Sequence, residues 1–145
     1  MNGGGAVAGV HEILKGDGAV DLYAEYERAV RSFDAGDPIG AANTLAPVVA
    51  AEPDNTSVRL LLARAYYHSA QLRRAEEQLR WLIDRDPTDH YAHFVLGRTL
   101  ERLGKPGEAL PHLRMALAMR PLDDYADALR RVEARAAGRG GGTRR

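Results

Sequence analysis

A chain of 145 residues with 20 basic and 20 acidic side chains has no formal net charge, so no global field draws it to nucleic acid or to an anionic membrane. It has no cysteine, which excludes a disulfide framework, a thiolate nucleophile and a cysteine-containing metal site. No apolar run approaches the roughly 18 residues that suggest a membrane span; the opening MNGGGAVAGVHEIL has no basic start and its apolar piece is short, so a secretory signal is not expected and the cytoplasm is the default compartment.

Residues 1–20 read as a mostly disordered segment, with a short helical turn at most in VHEILKGDG. A helical pattern starts near residue 22 and breaks at AGDPIG, 35–40, where Asp37 can cap a second helix whose first position is Pro38. That helix runs to VAAEPDN and stops at Pro53, because proline offers no N–H and pushes the preceding residue out of helical geometry. Val58, Leu61, Leu62, Ala65 and Tyr66 then recur at helical spacing, HSAQLRR turns the chain, and Ala75, Leu79, Leu82 and Ile83 continue to Pro87. Asp89 is the candidate cap of the next helix. LGKPGE, 103–108, marks a further turn with Pro106 at a helix start, and LAMRPLDD ends at Pro121. Pro47 and Pro111 fall inside second helices; Pro111 is early, and Pro47 is expected to kink its helix.

The three stops, Pro53, Pro87 and Pro121, are 34 residues apart, and other columns share that offset. Ala41, Ala75 and Ala109 align, as do Leu45, Leu79 and Leu113, and the small residues Ala29, Ala63 and Gly97. A fixed period means stacked supersecondary units, each unable to bury its own apolar face. Small columns fit close helix crossings, where a large side chain would force the axes apart.

These residues resemble the tetratricopeptide repeat (TPR) family, whose pattern is W-x2-L-G-x2-Y, then A-x3-F, then P. The third unit matches at Leu96-Gly97, Ala109 and Pro121; the second at Leu62-Ala63, Tyr66, Ala75 and Pro87; the first at Ala29, Ala41 and Pro53. No unit has the early Trp, and Leu45, Leu79 and Leu113 stand for the aromatic. The resemblance implies an all-α fold, an α-solenoid of three helix-turn-helix repeats at about 22–55, 56–89 and 90–123. A capping helix would follow at about 123–137, giving a TPR domain over 21–137, and 138–145 would be a disordered Arg/Gly tail.

The ends differ from the middle. Val58, Leu61, Leu62 and Ala65 align with Ala92, Val95, Leu96 and Thr99, but in the first unit with Ala24, Glu27, Arg28 and Arg31. A charged face there marks the first unit as the N-terminal cap. After Pro121, Leu122, Tyr125, Leu129, Val132 and Ala136 form one stripe, and the spacing pairs Asp127 with Arg131.

No constellation predicts catalysis. The glycine stretches lack the context of a phosphate loop, and DRDPTDH has neither the glycine turn nor the distant glutamate of a calcium loop. His90 and His93 do not amount to a zinc site, which needs three or four ligands, and read as solvent-facing or half-buried. No cofactor and no metal are expected. The six Arg of residues 127–145 lack interleaved aromatics beyond Tyr125, so a nucleic-acid contact is not expected either.

First helices of stacked pairs line a concave surface. At the 34-residue offset its columns are Tyr26, Leu60 and Phe94; Val30, Arg64 and Arg98; Phe33, Tyr67 and Glu101; and Asp34, His68 and Arg102, with Tyr23 and Tyr91 at one end. The resemblance implies that such positions contact segments of partner proteins. The Lys and Asn combination with which some family members clamp a C-terminal carboxylate is absent, so a chaperone tail is not the expected ligand. Aromatic and Arg side chains are hot-spot types. The expected role is that of a non-catalytic adaptor or scaffold, monomeric or weakly self-associating. Its expected partner is another protein with an acidic and partly apolar segment. The alternatives are a self-associating structural protein and a tail that touches RNA.

Overall fold

The computed structural model describes residues 21–142, with side chains to 138. Among the described residues there are seven α-helices and no strand: α1 (Leu22–Asp34), α2 (Pro38–Ala51), α3 (Thr56–His68), α4 (Leu72–Arg85), α5 (His90–Arg102), α6 (Pro106–Met119) and α7 (Asp123–Gly142). The segment 1–20, read as disordered from its composition, lies outside the described residues, as do 143–145.

The local chemistry repeats with the period. Asp21, Asn55 and Asp89, 34 apart, cap α1, α3 and α5: each side chain accepts from the N–H three residues on, of Ala24, Val58 and Ala92, at 3.2, 3.1 and 3.0 Å. Asp37 does the same for α2, accepting from Gly40 at 2.9 Å, with Pro38 at the first helical position. Pro106 opens α6, although Lys105 before it makes no side-chain cap. The residues before the three stop prolines, Glu52, Asp86 and Arg120, have left helical geometry. Each still donates its N–H back, to Val48, Leu82 and Ala116. The turns inside the helix pairs use one left-handed residue each, again 34 apart: Gly36 (φ 85°), Ala70 (φ 61°) and Gly104 (φ 79°). α2 and α6 continue unbroken through Pro47 and Pro111.

The chain divides into two compact units between Ser69 and Ala70. In the first, α2 packs against both α1 and α3. Leu22, Ala29, Ala41, Leu45, Val48 and Leu62 are all but inaccessible. Ala24, Glu27, Arg28 and Arg31 of α1 are exposed. At the same register Val58, Leu61, Leu62 and Ala65 of α3, and Ala92, Val95, Leu96 and Thr99 of α5, are buried. The α1 face is thus charged and exposed where its counterparts on α3 and α5 are buried.

In the second unit α5 packs on α4 and α6, and α7 on α6 and α5. Ala75, Leu79, Leu96, Gly97, Ala109 and Leu113 are buried. Gly97 has a specific reason: a Cβ there would stand 2.5 and 2.6 Å from Cδ2 and Cγ of Leu113. The helices cross too closely for any side chain. α7 is anchored by Tyr125, Ala128 and Val132, while Leu122, from the expected stripe, is exposed. The helix also continues to Gly142, into the segment that composition reads as a disordered tail.

Two sequence expectations are corrected here. His93 is neither solvent-facing nor half-buried but 6 % exposed; its Nε2 meets the Pro87 carbonyl at 2.9 Å and its Nδ1 meets His112 at 3.1 Å. Arg131 does not pair with Asp127, which is taken by Arg130; Arg131 reaches Glu101 instead. No helix among the described residues is long and apolar enough to cross a membrane.

Candidate functional site

In the first unit the stripe on α1 and α3 consists of Tyr23, Tyr26, Val30, Phe33, Leu60, Arg64, Tyr67 and His68. Tyr26, Val30, Phe33, Leu60, Arg64 and Tyr67 are half-buried, and Tyr23 and His68 are exposed. Four of these side chains form a cluster. The Arg64 Cζ lies 4.7 Å from the centroid of Phe33. His68 sets its edge against Phe33 at 5.4 Å and against Tyr67 at 5.3 Å. The negative face of Phe33 holds the guanidinium. Arg64 Nε is enclosed and has no hydrogen-bond partner among the described residues. This cation is seated by the Phe33 ring, and no carboxylate pairs with it among the described residues. At the far end Tyr23 donates to Glu27, which raises its phenol above the ordinary range.

In the second unit Tyr91, Phe94 and Arg98 are half-buried on α5, and Arg102 is exposed near its C-terminus. Here α7 intervenes. Tyr125 of α7 stacks on Phe94, with centroids 4.5 Å apart and planes 27° off parallel, and meets His90 Nδ1 through its hydroxyl at 2.8 Å. Burial raises the Tyr125 phenol. Tyr91 is 6.4 Å from Phe94.

Glu101, placed by the 34-residue offset in a surface column, is 5 % exposed. Its carboxylate accepts from Arg131 Nε and Nη2 at 2.7 and 2.8 Å and from Arg135 Nη1 at 3.1 Å. Arg98 Nε stands 3.7 Å away. The Arg131 hydrogen bonds are the main reason that Glu101 is held below the usual carboxylate range; burial opposes them. Arg98, read as a cation facing a ligand, is therefore an ion-pair partner within its own unit, and its guanidinium lies 5.7 Å from the Phe94 ring.

Sequence reasoning misses the contacts that Tyr125, Arg131 and Arg135 make with α5. A signal existed: the same offset carries Tyr91 to Tyr125 and Glu101 to Arg135. No group of three or more His, Asp or Glu side chains able to hold a metal occurs among the described residues.

Comparison with known proteins agrees with the geometry. Tetratricopeptide repeat profiles match residues 32–93 and 69–124. Among solved structures, the first TPR of Spaghetti (RPAP3), bound to the HSP90 peptide SRMEEVD, is 20% identical with a TM-score of 0.74; the match covers 80% of this chain and 93% of that one. The second TPR domain of human RPAP3, in complex with the HSP70 peptide SGPTIEEVD, is 23% identical over 75% of this chain and 92% of that one, with a TM-score of 0.70. MamA from Desulfovibrio magneticus RS-1 is 17% identical over 81% and 67%, with a TM-score of 0.77. Two profile matches, similar solved folds, helices capped and stopped every 34 residues, and small residues at the crossings agree: the chain belongs to the tetratricopeptide repeat family, with its all-α helical-repeat solenoid fold.

Proposed function

We propose that this chain is a non-catalytic protein-interaction module that takes an acidic, partly apolar segment of a partner protein on its first-helix surfaces. The observation that carries the reading is Arg64 in the first unit. A guanidinium held over Phe33, in the cluster that His68 joins to Tyr67, offers its charge and terminal N–H groups to a carboxylate and ring surface to an apolar neighbour. Tyr26, Val30 and Leu60 extend that surface with half-buried apolar area. In the second unit, Tyr91, Phe94, Arg98 and Arg102 on α5 form a separate candidate surface, with Arg98 already tied to Glu101.

The RPAP3 structures support a peptide ligand, since both hold short segments carrying two Glu and one Asp. The family contributes the architecture, and the residues at this surface contribute the specificity. The test is capture of partners from native lysate by the wild-type chain and by Arg64→Glu, side by side. The variant should lose the partners that the wild type retains.

A further inference from the structure

Helix α5 carries a buried histidine that the interaction surface does not use. His93 Nε2 lies 2.9 Å from the Pro87 carbonyl oxygen, and its Nδ1 lies 3.1 Å from Nδ1 of His112 on α6. The two rings stack with centroids 5.3 Å apart and planes 29° off parallel.

Proton counting on these four nitrogens is restrictive. A carbonyl oxygen only accepts, so His93 Nε2 carries a proton. Two Nδ1 atoms in hydrogen-bond contact share one proton between them. With both rings neutral, His112 Nδ1–H donates to His93 Nδ1. One extra proton leaves this intact whichever ring becomes the cation. The added proton sits on His112 Nε2; the shared proton then stays on His112 Nδ1, which donates, or passes to His93 Nδ1, which donates in its place and makes His93 the cation. A second extra proton places an N–H on both Nδ1 atoms. The contact then has no acceptor, and two imidazolium rings face each other.

We propose that His93 and His112 form an acid-sensitive latch between α5 and α6, closed while the pair holds at most one proton more than two neutral rings and opened by the next. The surroundings resist that next proton. Burial holds the His112 imidazole below the ordinary histidine range, with the charges of His93 and of Arg80 on α4 adding to it; Glu108 on α6 pulls the other way. Glu108 is itself 3.6 Å from Arg80, which Glu76 also holds at 2.9 Å.

The sign follows by linkage. Below about pH 6.5 an unfolded chain protonates both histidines, whereas the closed latch takes one fewer. Stability from the latch is complete above that pH and declines as the pH falls. The folding constant drops by up to about tenfold per pH unit. Because α5 also carries Tyr91, Phe94 and Arg98, opening would loosen the surface proposed for the partner. That consequence rests on the interaction reading, whereas the latch is tested without any ligand, so the two can fail separately.

The experiment is urea unfolding of the full chain, followed by the fluorescence of its one tryptophan, Trp81, from about pH 7.5 to about pH 5. That window lies above the carboxylate range of about 4. His112→Gln cannot take the charge, and its amide can turn either its N–H or its carbonyl oxygen to His93 Nδ1, so His93 keeps a partner whether neutral or protonated and the proton deficit of the closed pair is gone. Between about pH 6 and 5 the wild type should lose roughly tenfold more in folding constant than the variant does. An unchanged pH dependence in His112→Gln overturns the latch. Should the variant fold too poorly to compare, imidazole nitrogen shifts of the wild type decide. One histidine of the pair should titrate more than about one pH unit below the other. Two independent titrations, both near the ordinary histidine pH, overturn it.

Discussion

Arg131 on α7 holds Glu101 on α5 by two hydrogen bonds, at 2.7 and 2.8 Å, one to each carboxylate oxygen. The contact links residues 30 positions apart and fixes the last helix onto the unit it closes. Arg135 adds a third bond at 3.1 Å. A buried carboxylate with three donors is stabilising only while it is charged and paired, and this one is held below the usual range chiefly by Arg131.

Glu101→Gln should therefore destabilise the chain at neutral pH by roughly 1–3 kcal/mol, the scale of hydrogen bonds to a charged group. Its folded pKa is depressed, so the stabilisation is present above the unfolded carboxylate pKa of about 4.3 and is lost as the pH falls through the folded value. Urea midpoints of wild type and Glu101→Gln should differ at pH 7 and converge under acid. A constant difference down to about pH 3 would mean that the carboxylate is not the stabilising charge.

Gly97 and Leu113 set a second test. Leu113 is fully buried, and an added Cβ at Gly97 meets not only its Cδ2 but also its Cγ, an atom that moves only if the whole side chain leaves its χ1 rotamer. Gly97→Ala gains up to about 1 kcal/mol of helix propensity. Overpacking costs roughly 1–3 kcal/mol, so the net effect should be a lower melting temperature with helicity retained. A stabilised variant would show that the α5–α6 crossing can open without cost.

The left-handed position of the turns gives a gain instead of a loss. Gly36 and Gly104 adopt positive φ freely, but Ala70 holds φ 61° with a Cβ. That costs about 1 kcal/mol or more, part of which glycine returns as unfolded-state entropy. Ala70 is exposed, so no packing is lost. Ala70→Gly should stabilise by roughly 0.5–1 kcal/mol, measured as a higher urea midpoint. A lower midpoint would mean that this turn does not hold the left-handed geometry in solution.

These cases separate what the sequence reveals from what it hides. Caps, prolines and small columns are local chemistry repeated at a fixed offset. Asp37, Asp89, Pro106 and the alanines at 41, 75 and 109 can therefore be read without coordinates. The contacts of α7 are not local. Phe94 with Tyr125 and Glu101 with Arg131 depend on how a helix docks, and helical spacing pointed Arg131 at Asp127 instead. His93 escaped for the same reason: its partners, Pro87 and His112, flank it on different segments. Arg64 and Arg98 look equivalent in the sequence because they share a column. They part company in the structure, where, among the described residues, Arg98 has a carboxylate beside it and Arg64 does not.

That difference decides the design of the functional test. Reversing Arg98 would place a second carboxylate beside buried Glu101, and a lost interaction could then reflect a disturbed α7. Arg64 forms no ion pair among the described residues, and its contact is with the Phe33 ring. Arg64→Glu should abolish capture of the proposed acidic segment, because it removes a cation and adds an anion that repels the ligand. Arg64→Gln should weaken capture less, since it removes the attraction without adding repulsion. Loss of the ring contact costs about 0.5–1 kcal/mol at a site of this exposure, so both variants should keep their helicity and nearly their melting temperature. If well-folded Arg64→Glu retains the same partners in the same yield, the α1–α3 surface is not where they bind. If Arg64→Gln is as damaging as Arg64→Glu, the guanidinium acts through a shape-specific hydrogen bond rather than through charge.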